Sequence, residues 1–578
     1  MVIHLPARRF FLRTAAGLAV LCGAAFRPIS VLHTTANEQV DVWLTTGNQA
    51  ALLQQQPSLR FGPTAAAAPT TVTIDEQTSY QTMDGFGAAM TGSAAYLINK
   101  RLSATQRDAL LTELYTSSGI HLNVVRHSMG ASDFSSQGDF TYDDQPPGTS
   151  DPTLAGFTLA NDDVDLVPVL QAARAKNSGL KIFGSPWSAP AWMKQAYNLH
   201  GSRLATASYP VYADYFVRYV QGYVARGLPV YAVTLQNEPL YSAPYMSMRM
   251  DPADQAAFLK NNIGPAFQAA GLSTKLIVYD HNWDQPTYPN AVFADPRAAQ
   301  YAAGAAFHCY GGSVSQQSTT HNAYPSKDLW FTECSGTTGS SFAGDLKYNV
   351  SNIIIGATRN WAKGSILWNL ALNPANGPTN GGCTTCRGVV TINETTGAVT
   401  RNVEYYALGH ASKFVDDGAV RIGSSSVASA IETVAFRNLD STRVLIALNN
   451  SNSARTFRVD WRGQLFAYTL PAGAVATYKW APAGSPLAAT KAADARLQVY
   501  PTVAGHELTL EYTSPARQQL AVSLLDMTGR VVLQQVDTPV QSGTNSITIN
   551  TSSVASGAYV LRVLTAEGSL SRRILIAR

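Results

Sequence analysis

Two glutamates stand out by what surrounds them. Glu238 ends the run AVTLQNE, and Glu333 ends the run LWFTE. Each run is apolar and of strand type, and each is broken by Pro239 or Cys334 and then by turn residues. A carboxylate at the end of a buried strand is costly unless it faces a solvated opening. Two such carboxylates across one opening are the minimum equipment for hydrolysing a glycosidic bond. One protonates the leaving oxygen and later deprotonates water; the other attacks the anomeric carbon, and retention needs the two about 5 to 5.5 Å apart.

From Met83 onward strand-like runs alternate with helical ones. The strand candidates are GFGAAM, LNVVRHSMGASDF, KIFGSPWSAP, YAVTLQNEP, KLIVYDHNW, GAAFHCYGG, DLWFTECSG and GSILWNLAL. Tyr212, Tyr215, Phe216, Tyr219, Val220 and Tyr223 recur at helical spacing before Gly227, and Asp251-Pro252 is a helix start with a capping residue and a proline in the first turn. Apolar strands that alternate with helices predict an α/β fold, a parallel (β/α)8 barrel. The active site of such a barrel lies at the C-terminal strand ends.

Those ends carry a dense polar and aromatic set. It runs Arg126, Ser128 and Asp133; Trp187 and Trp192; Gln236, Asn237 and Glu238; Asp280, His281, Asn282 and Trp283; His308 and Tyr310; Glu333; Trp368 and Asn369. Aromatic rings offer flat apolar platforms for sugar faces. Asn237 could bond a sugar hydroxyl, Arg126 would hold the nucleophile ionised, and Tyr310 could hydrogen-bond it. Each residue also has a plainer explanation. A lone glutamate after a strand is usually solvated, a Trp is often core, Arg126 could be a structural ion-pair partner, His308 a satisfied core histidine, and Asp133 and Asp280 turn caps. The plainer explanations do not account for so many at the same end of successive strands.

Length and composition agree with an enzyme of several domains. The chain has 578 residues, 14% charged and 10% aromatic, with a net charge of +4. Setting aside Arg8, Arg9 and Arg13, which lie in an N-terminal basic-then-apolar segment, leaves +1. Nothing in that balance suggests nucleic acid or a membrane surface as partner. The segment itself, ARRFFLRTAAGLAVLCGAAF, is placed like an export signal and is too short to span a bilayer. Its paired arginines resemble the twin-arginine signal, a general secretory signal being the alternative. No later run is long and apolar enough for a membrane helix.

Cys22 lies in that segment. Cys309, Cys334, Cys383 and Cys386 make an even number suited to an oxidising compartment. Cys383 and Cys386 are expected to form a small disulfide. Cys309 and Cys334 are either buried thiols or a second bridge. A zinc site recruiting all four is a further alternative, but this hydrolysis needs neither metal nor cofactor. Residues 418–480 show two-periodic runs of an antiparallel β-sandwich, and the strand-like runs of residues 40–75 are expected to join it. A low-complexity stretch then leads to a last all-β unit of about 80 residues.

Taken together, the motifs resemble glycoside hydrolase family 30. The pieces are DGFGAAMT at 84–91, GASDF at 130–134, SPWSAPAWMK at 185–194, QNEP at 236–239, TECSG at 332–336, WNLALNP at 368–374 and YYALGHASKFV at 405–415. The resemblance runs in order over about residues 40–480. It implies a barrel with a side sandwich and retention, with Glu238 as acid/base and Glu333 as nucleophile. It implies substrate-pocket roles for Arg126, Asp133, Trp187, Asn237, His308, Tyr310 and Trp368, to which Asp280 is added from its strand end. Family activities include glucosylceramidase, β-1,6-glucanase, β-glucosidase and xylanase. Two departures touch the rim: Cys309 replaces a Trp of the animal glucosylceramidases, and NPANGPTNGGCTTCRG carries a Cys-x-x-Cys that they lack.

The last 80 residues resemble the C-terminal sorting domain of the type IX secretion system through LQVYPT, LLDMTGRVV, ASGAYVLRV and RRILIAR. That address makes the type IX machinery a partner and favours the general secretory entry route. The expected division is a signal at 1–27, N-terminal sandwich strands at 38–76, barrel at 77–404, sandwich at 405–481, linker at 482–496 and sorting domain at 497–578. The expected function is hydrolysis of a β-glucoside outside the cytoplasm, with a β-1,6-glucan as substrate. The alternatives are glucosylceramide hydrolysis and a non-catalytic surface glycan-binding protein.

Overall fold

The computed structural model describes residues 38–482, 497–501, 503–526, 531–565 and 568–577. The expected signal at 1–27 and nearly all of the expected linker lie outside them. Eight parallel strands close into a barrel. They are β1 (Gly85–Ala89), β2 (Val124–Met129), β3 (Lys181–Pro186), β4 (Val230–Thr234), β5 (Lys275–Asn282), β6 (Ala302–His308), β7 (Asp328–Glu333) and β8 (Ala362–Leu367). The ring runs β7-β8-β1-β2-β3-β4-β5-β6, so each strand pairs with its chain neighbours and β8 pairs with β1. Strands β1 and β2 are buried along their whole length, as parallel strands covered on both faces must be.

One side chain from each of β2 to β8 fills the lower barrel: Val124, Phe183, Ala232, Ile277, Ala306, Trp330 and Ile366. Strand β1 passes with glycines, and a Cβ on Gly87 would lie 1.8 Å from the Val124 carbonyl oxygen. The floor is polar. Asp84 accepts from Lys181 Nζ, Tyr231 Oη and Trp330 Nε1, each at 2.8 Å. Helix starts follow the capping signals. Thr91 caps Gly92–Lys100, Ser103 forms a capping box with Gln106, and Asp251 does so with Asp254 ahead of Pro252. The tyrosine-rich stretch is the helix Tyr209–Ala225, buried along that face.

The expected sandwich is one hydrogen-bonded run of nine strands. Its order is Gln54–Arg60, Gln39–Thr45, Val475–Trp480, Arg443–Asn449, Ile431–Arg437, Val420–Ser424, Thr70–Thr82, Arg455–Trp461 and Gln464–Leu470. The sheet folds back on itself. The rings of Phe457 and Tyr478, five places apart in that order, have centroids 6.1 Å apart. N-terminal strands do join it, but Thr70–Thr82 pairs in parallel with Arg455–Trp461, so the layer is not purely antiparallel. Helix Val403–Ser412 ties it to the barrel: His410, kept neutral by burial, bonds Thr45 and Thr477 at 2.8 and 2.9 Å. Residues 497–577 form a three-stranded and a five-stranded sheet around a core of their own, including Leu508, Leu510, Leu520 and Leu561. Among the described residues no helix is long and apolar enough to cross a membrane.

Candidate active site

Glu333 is the last residue of β7. Glu238 is not at a strand end as its sequence suggested: β4 stops at Thr234, and Glu238 stands four residues further on with φ at 46°. The left-handed region costs a non-glycine residue about 1–2 kcal/mol. Pro239 disfavours the ordinary helical alternative for the residue before it. The Glu238 N–H donates to the Asp280 carbonyl at 2.9 Å, and Asp280 is itself left-handed at φ 67°. Backbone strain of this kind persists where neighbouring structure over-determines it. Its result is that a carboxyl oxygen of Glu238, one of Glu333 and a ring nitrogen of His308 all lie within 4.8 Å of one another.

A buried charge network lies beneath them. Arg126 is fully buried and donates to Glu333 Oε2 at 2.6 Å, Asn237 Oδ1 at 2.7 Å and Asp280 Oδ2 at 3.0 Å. His308 sits between Glu238 Oε1 at 3.2 Å and Asp280 Oδ1 at 3.0 Å. Burial alone would lower its pKa, but the charges of Glu333 and Asp280 and its two carboxylate bonds raise it to about 9. It is therefore an imidazolium that donates on both sides. Asp280 also accepts from Ser185, Thr234 and Thr332 at 2.8, 2.7 and 2.7 Å. Burial would raise its pKa, but Arg126 and His308 hold it far below the usual carboxylate range.

The two glutamates are electrostatically joined. Burial raises Glu333, His308 and Arg126 pull it back only in part, and the Glu238 charge adds to the rise. Burial acts on Glu238 too, but the hydrogen bond and charge of His308 outweigh it and lower that group. At this spacing the carboxyls titrate as one unit, with a low first ionisation and a raised second one. The spacing of Glu238, His308 and Glu333 would also suit a metal ion. Yet both ring nitrogens of His308 are committed to carboxylates and Arg126 already supplies a cation, so this donor set suits protons rather than a metal.

Above the network opens a cavity of about 460 Å³, lined by Asp133, Glu238, Glu333, Tyr310 and Trp368 among others. Burial, reinforced by the charges of Glu333 and Glu238, pushes Asp133 well above its ordinary range and makes it a neutral acid facing the cavity. Tyr310 is half-exposed and donates its hydroxyl to Glu333 Oε1 at 3.1 Å. Trp368 stacks on Trp187 with centroids 5.1 Å apart, and Arg126 packs 5.0 Å from the centre of the Trp187 ring.

Of the eight residues expected to meet substrate, Asp133, Tyr310 and Trp368 line the cavity. Arg126, Asp280 and His308 are fully buried beneath the cavity and do not line it: Asp280 bonds both of the others, Arg126 also reaches Glu333, and His308 also reaches Glu238. Trp187 lies behind Trp368, and Asn237 turns its oxygen to Arg126. Tyr241, Tyr245, Ser335 and Thr337 line the cavity without having been singled out in the sequence. His281 and Asn282, both in the strand-end set, line it as well. Tyr241 follows the QNEP motif closely, and that proximity was the available signal.

All four cysteines outside the N-terminal segment are paired, which removes the zinc alternative. Cys309 joins Cys334, and Cys383 joins Cys386, each pair with Cα atoms 5.4 Å apart. The first bridge links the residues directly after His308 and Glu333. The second lies in the rim loop, where Cys383 and Cys386 line the cavity.

Comparison with known proteins agrees with this architecture. Residues 83–415 match the glycosyl hydrolase family 30 TIM-barrel domain, 418–478 the family 30 β-sandwich domain, and 498–577 a secretion system C-terminal sorting domain. The last match marks the chain for type IX export, to the medium or the cell surface. The endo-1,6-β-D-glucanase neg1 of Aspergillus fumigatus is 36% identical over 435 residues, 70% of this chain and 87% of that protein. The lysosomal acid glucosylceramidase of Mus musculus is 30% identical over 438 residues, 71% and 83% respectively. The solved structure of the endo-β1,6-glucanase BT3312 is 35% identical with a TM-score of 0.71, covering 77% of this chain and all of that one. The barrel and its side sandwich thus have one common source: the chain belongs to glycosyl hydrolase family 30 and is a glycoside hydrolase.

Proposed function

We propose that the protein is an exported retaining β-glycosidase that hydrolyses β-1,6-linked glucan, with Glu333 as nucleophile and Glu238 as acid/base. The observation that carries the roles is the meeting of the two carboxyl groups, with oxygens within 4.8 Å, at one cavity. Retaining chemistry asks for close carboxyls, with no room for a water between nucleophile and sugar. The pair shares its proton: His308 favours the charge on Glu238 in the free site, and the attacking form carries it on Glu333, where Arg126 and Tyr310 donate to both oxygens. In that attacking form Glu238, with one oxygen on His308, holds the proton on the other.

In the first step Glu333 bonds to the anomeric carbon while the Glu238 proton passes to the departing glycosidic oxygen. In the second, Glu238 takes a proton from water, and the resulting hydroxide displaces Glu333 with a second inversion. Asp133 and Trp368 hold the sugar being cleaved, one by hydrogen bonds and the other by its ring face. The N-terminal basic-then-apolar segment is the entry signal that precedes type IX export.

The relatives named as endo-1,6-β-D-glucanases support the linkage. The mouse glucosylceramidase supports a second reading, in which the aglycone is a lipid. Glu238→Gln and Glu333→Gln should each lower kcat on β-1,6-glucan by about 10³-fold or more while the circular dichroism spectrum stays the same. Wild-type activity in either variant refutes the roles. Glucose release from glucosylceramide with no cleavage of β-1,6-glucan replaces the first reading with the second, and the product sizes distinguish internal from end-wise cutting.

A further inference from the structure

Among the described residues, a histidine at the cavity has no hydrogen-bond partner for its ring. His281, the residue after Asp280 on β5, is 9% exposed and lines the cavity. Its Nδ1 is buried and bonded to nothing, and among the described residues no protein group hydrogen-bonds its Nε2. Its neighbours are the ring of His308 at 6.4 Å and that of Tyr279 at 6.0 Å. A buried unpaired N–H is rarer and costlier than an unpaired acceptor. A neutral ring therefore keeps its proton off the sealed Nδ1 and on Nε2. Burial favours the neutral ring, the nearby Glu238 charge opposing it. The side chain thus offers the cavity a donor that the free enzyme leaves unused.

Strand order says which part of a substrate meets it. Glu238 after β4 and Glu333 on β7 divide the ring into two arcs. Strands β8, β1, β2 and β3 lie between them on one side and carry Trp368, Asp133 and Trp187. Strands β5 and β6 lie on the other and carry His281 and Tyr310. The tryptophan arc offers the face for the sugar whose anomeric carbon is attacked. The glycosidic oxygen takes its proton from Glu238, so the group attached to it departs on the Glu238 side, beside β5. Tyr241, three residues after Glu238 and 46% exposed, lines the cavity beside it, while Tyr245 packs with the tryptophan cluster.

We propose that His281 is a specificity-determining residue whose Nε2–H donates to a hydroxyl or ring oxygen of the leaving-group sugar, so that the site selects a carbohydrate over an alkyl aglycone. This rests on the proposed glucanase reading. An alkyl chain would leave the donor dry and unbonded, a penalty of the order expected for an unsatisfied buried polar group.

The test compares two substrates with the same β-1,6-linked glucosyl disaccharide on the non-reducing side. One carries further β-1,6-linked glucose as leaving group, and the other a 2,4-dinitrophenyl group with no hydroxyl. For His281→Ala, kcat/KM on the oligosaccharide should fall about 10- to 100-fold further than on the aryl glycoside. His281→Gln, which restores a donor, should recover part of that loss. A second measurement is independent of turnover. Isothermal titration of the oligosaccharide into Glu333→Gln should show weaker binding when His281→Ala is added. Equal loss on both substrates, or no loss in either measurement, overturns the proposal. Wild-type preference for a β-1,3- or β-1,4-linked oligosaccharide refutes the linkage alone, and the same pair of substrates in that linkage then tests His281. Preference for glucosylceramide over every oligosaccharide overturns both.

Discussion

His308 shows how one side chain sets the state of several. It is fully buried, yet carboxylates on both ring nitrogens keep it charged up to about pH 9. Its folded pKa is above the ordinary 6.5, so its contribution to stability is complete below pH 6.5 and is lost as pH rises through 9. Thermal melts across that interval should show a fall in Tm that flattens in His308→Asn. The same cation favours the ionised form of both glutamates, opposing the effect of burial. Removing it should move both limbs of the kcat/KM profile of His308→Asn to higher pH. Limbs that stay in place would show that Arg126 alone sets the site's potential.

The elements place these residues through their ends. Strand β7 delivers Glu333 directly, whereas β4 stops short and a strained tetrapeptide carries Glu238 the remaining distance. Strands β6 and β7 pair with Glu333 opposite His308, and the Cys309–Cys334 bridge clamps the very next residues. A bridge with a sequence separation of 25 contributes about 3 kcal/mol by limiting the unfolded chain. Cys309→Ser combined with Cys334→Ser should lose about that much in denaturant unfolding. A change near zero would mean that strand pairing alone holds the register. Beyond it, Gly336–Thr337 pairs with Cys386–Arg387, so the rim loop is fastened to the segment that follows Glu333.

At the scale of the molecule, the larger hydrophobic clusters have different tasks. The barrel core positions the site, the nine-stranded sheet covers its own core, and residues 497–577 enclose a third core made only of their own side chains. A chain ending at Pro482 should therefore keep kcat/KM on β-1,6-glucan within about two-fold and lose export. Loss of activity in the purified truncated chain would show that the last domain supports the barrel. Secretion of that chain at the normal level would show that the C-terminal address is not needed.

Eight barrel strands in order, the side sandwich and the C-terminal address were legible along the chain, because β-strand runs and family motifs are local patterns, although β4 ends four residues before Glu238. Which residues line the cavity was not local. Arg126, Asp280 and His308 share strand ends with Tyr310 and Trp368, yet barrel closure buries the first three and leaves the other two at the opening. The pairing of Cys309 with Cys334 needed β6 beside β7, and the left-handed turn at Glu238 needed the Asp280 carbonyl to hold it. Sequence thus determined which chemistry the chain carries. The closed ring decided which groups supply charge from behind and which face the sugar, because burial and mutual distance exist only once the strands meet.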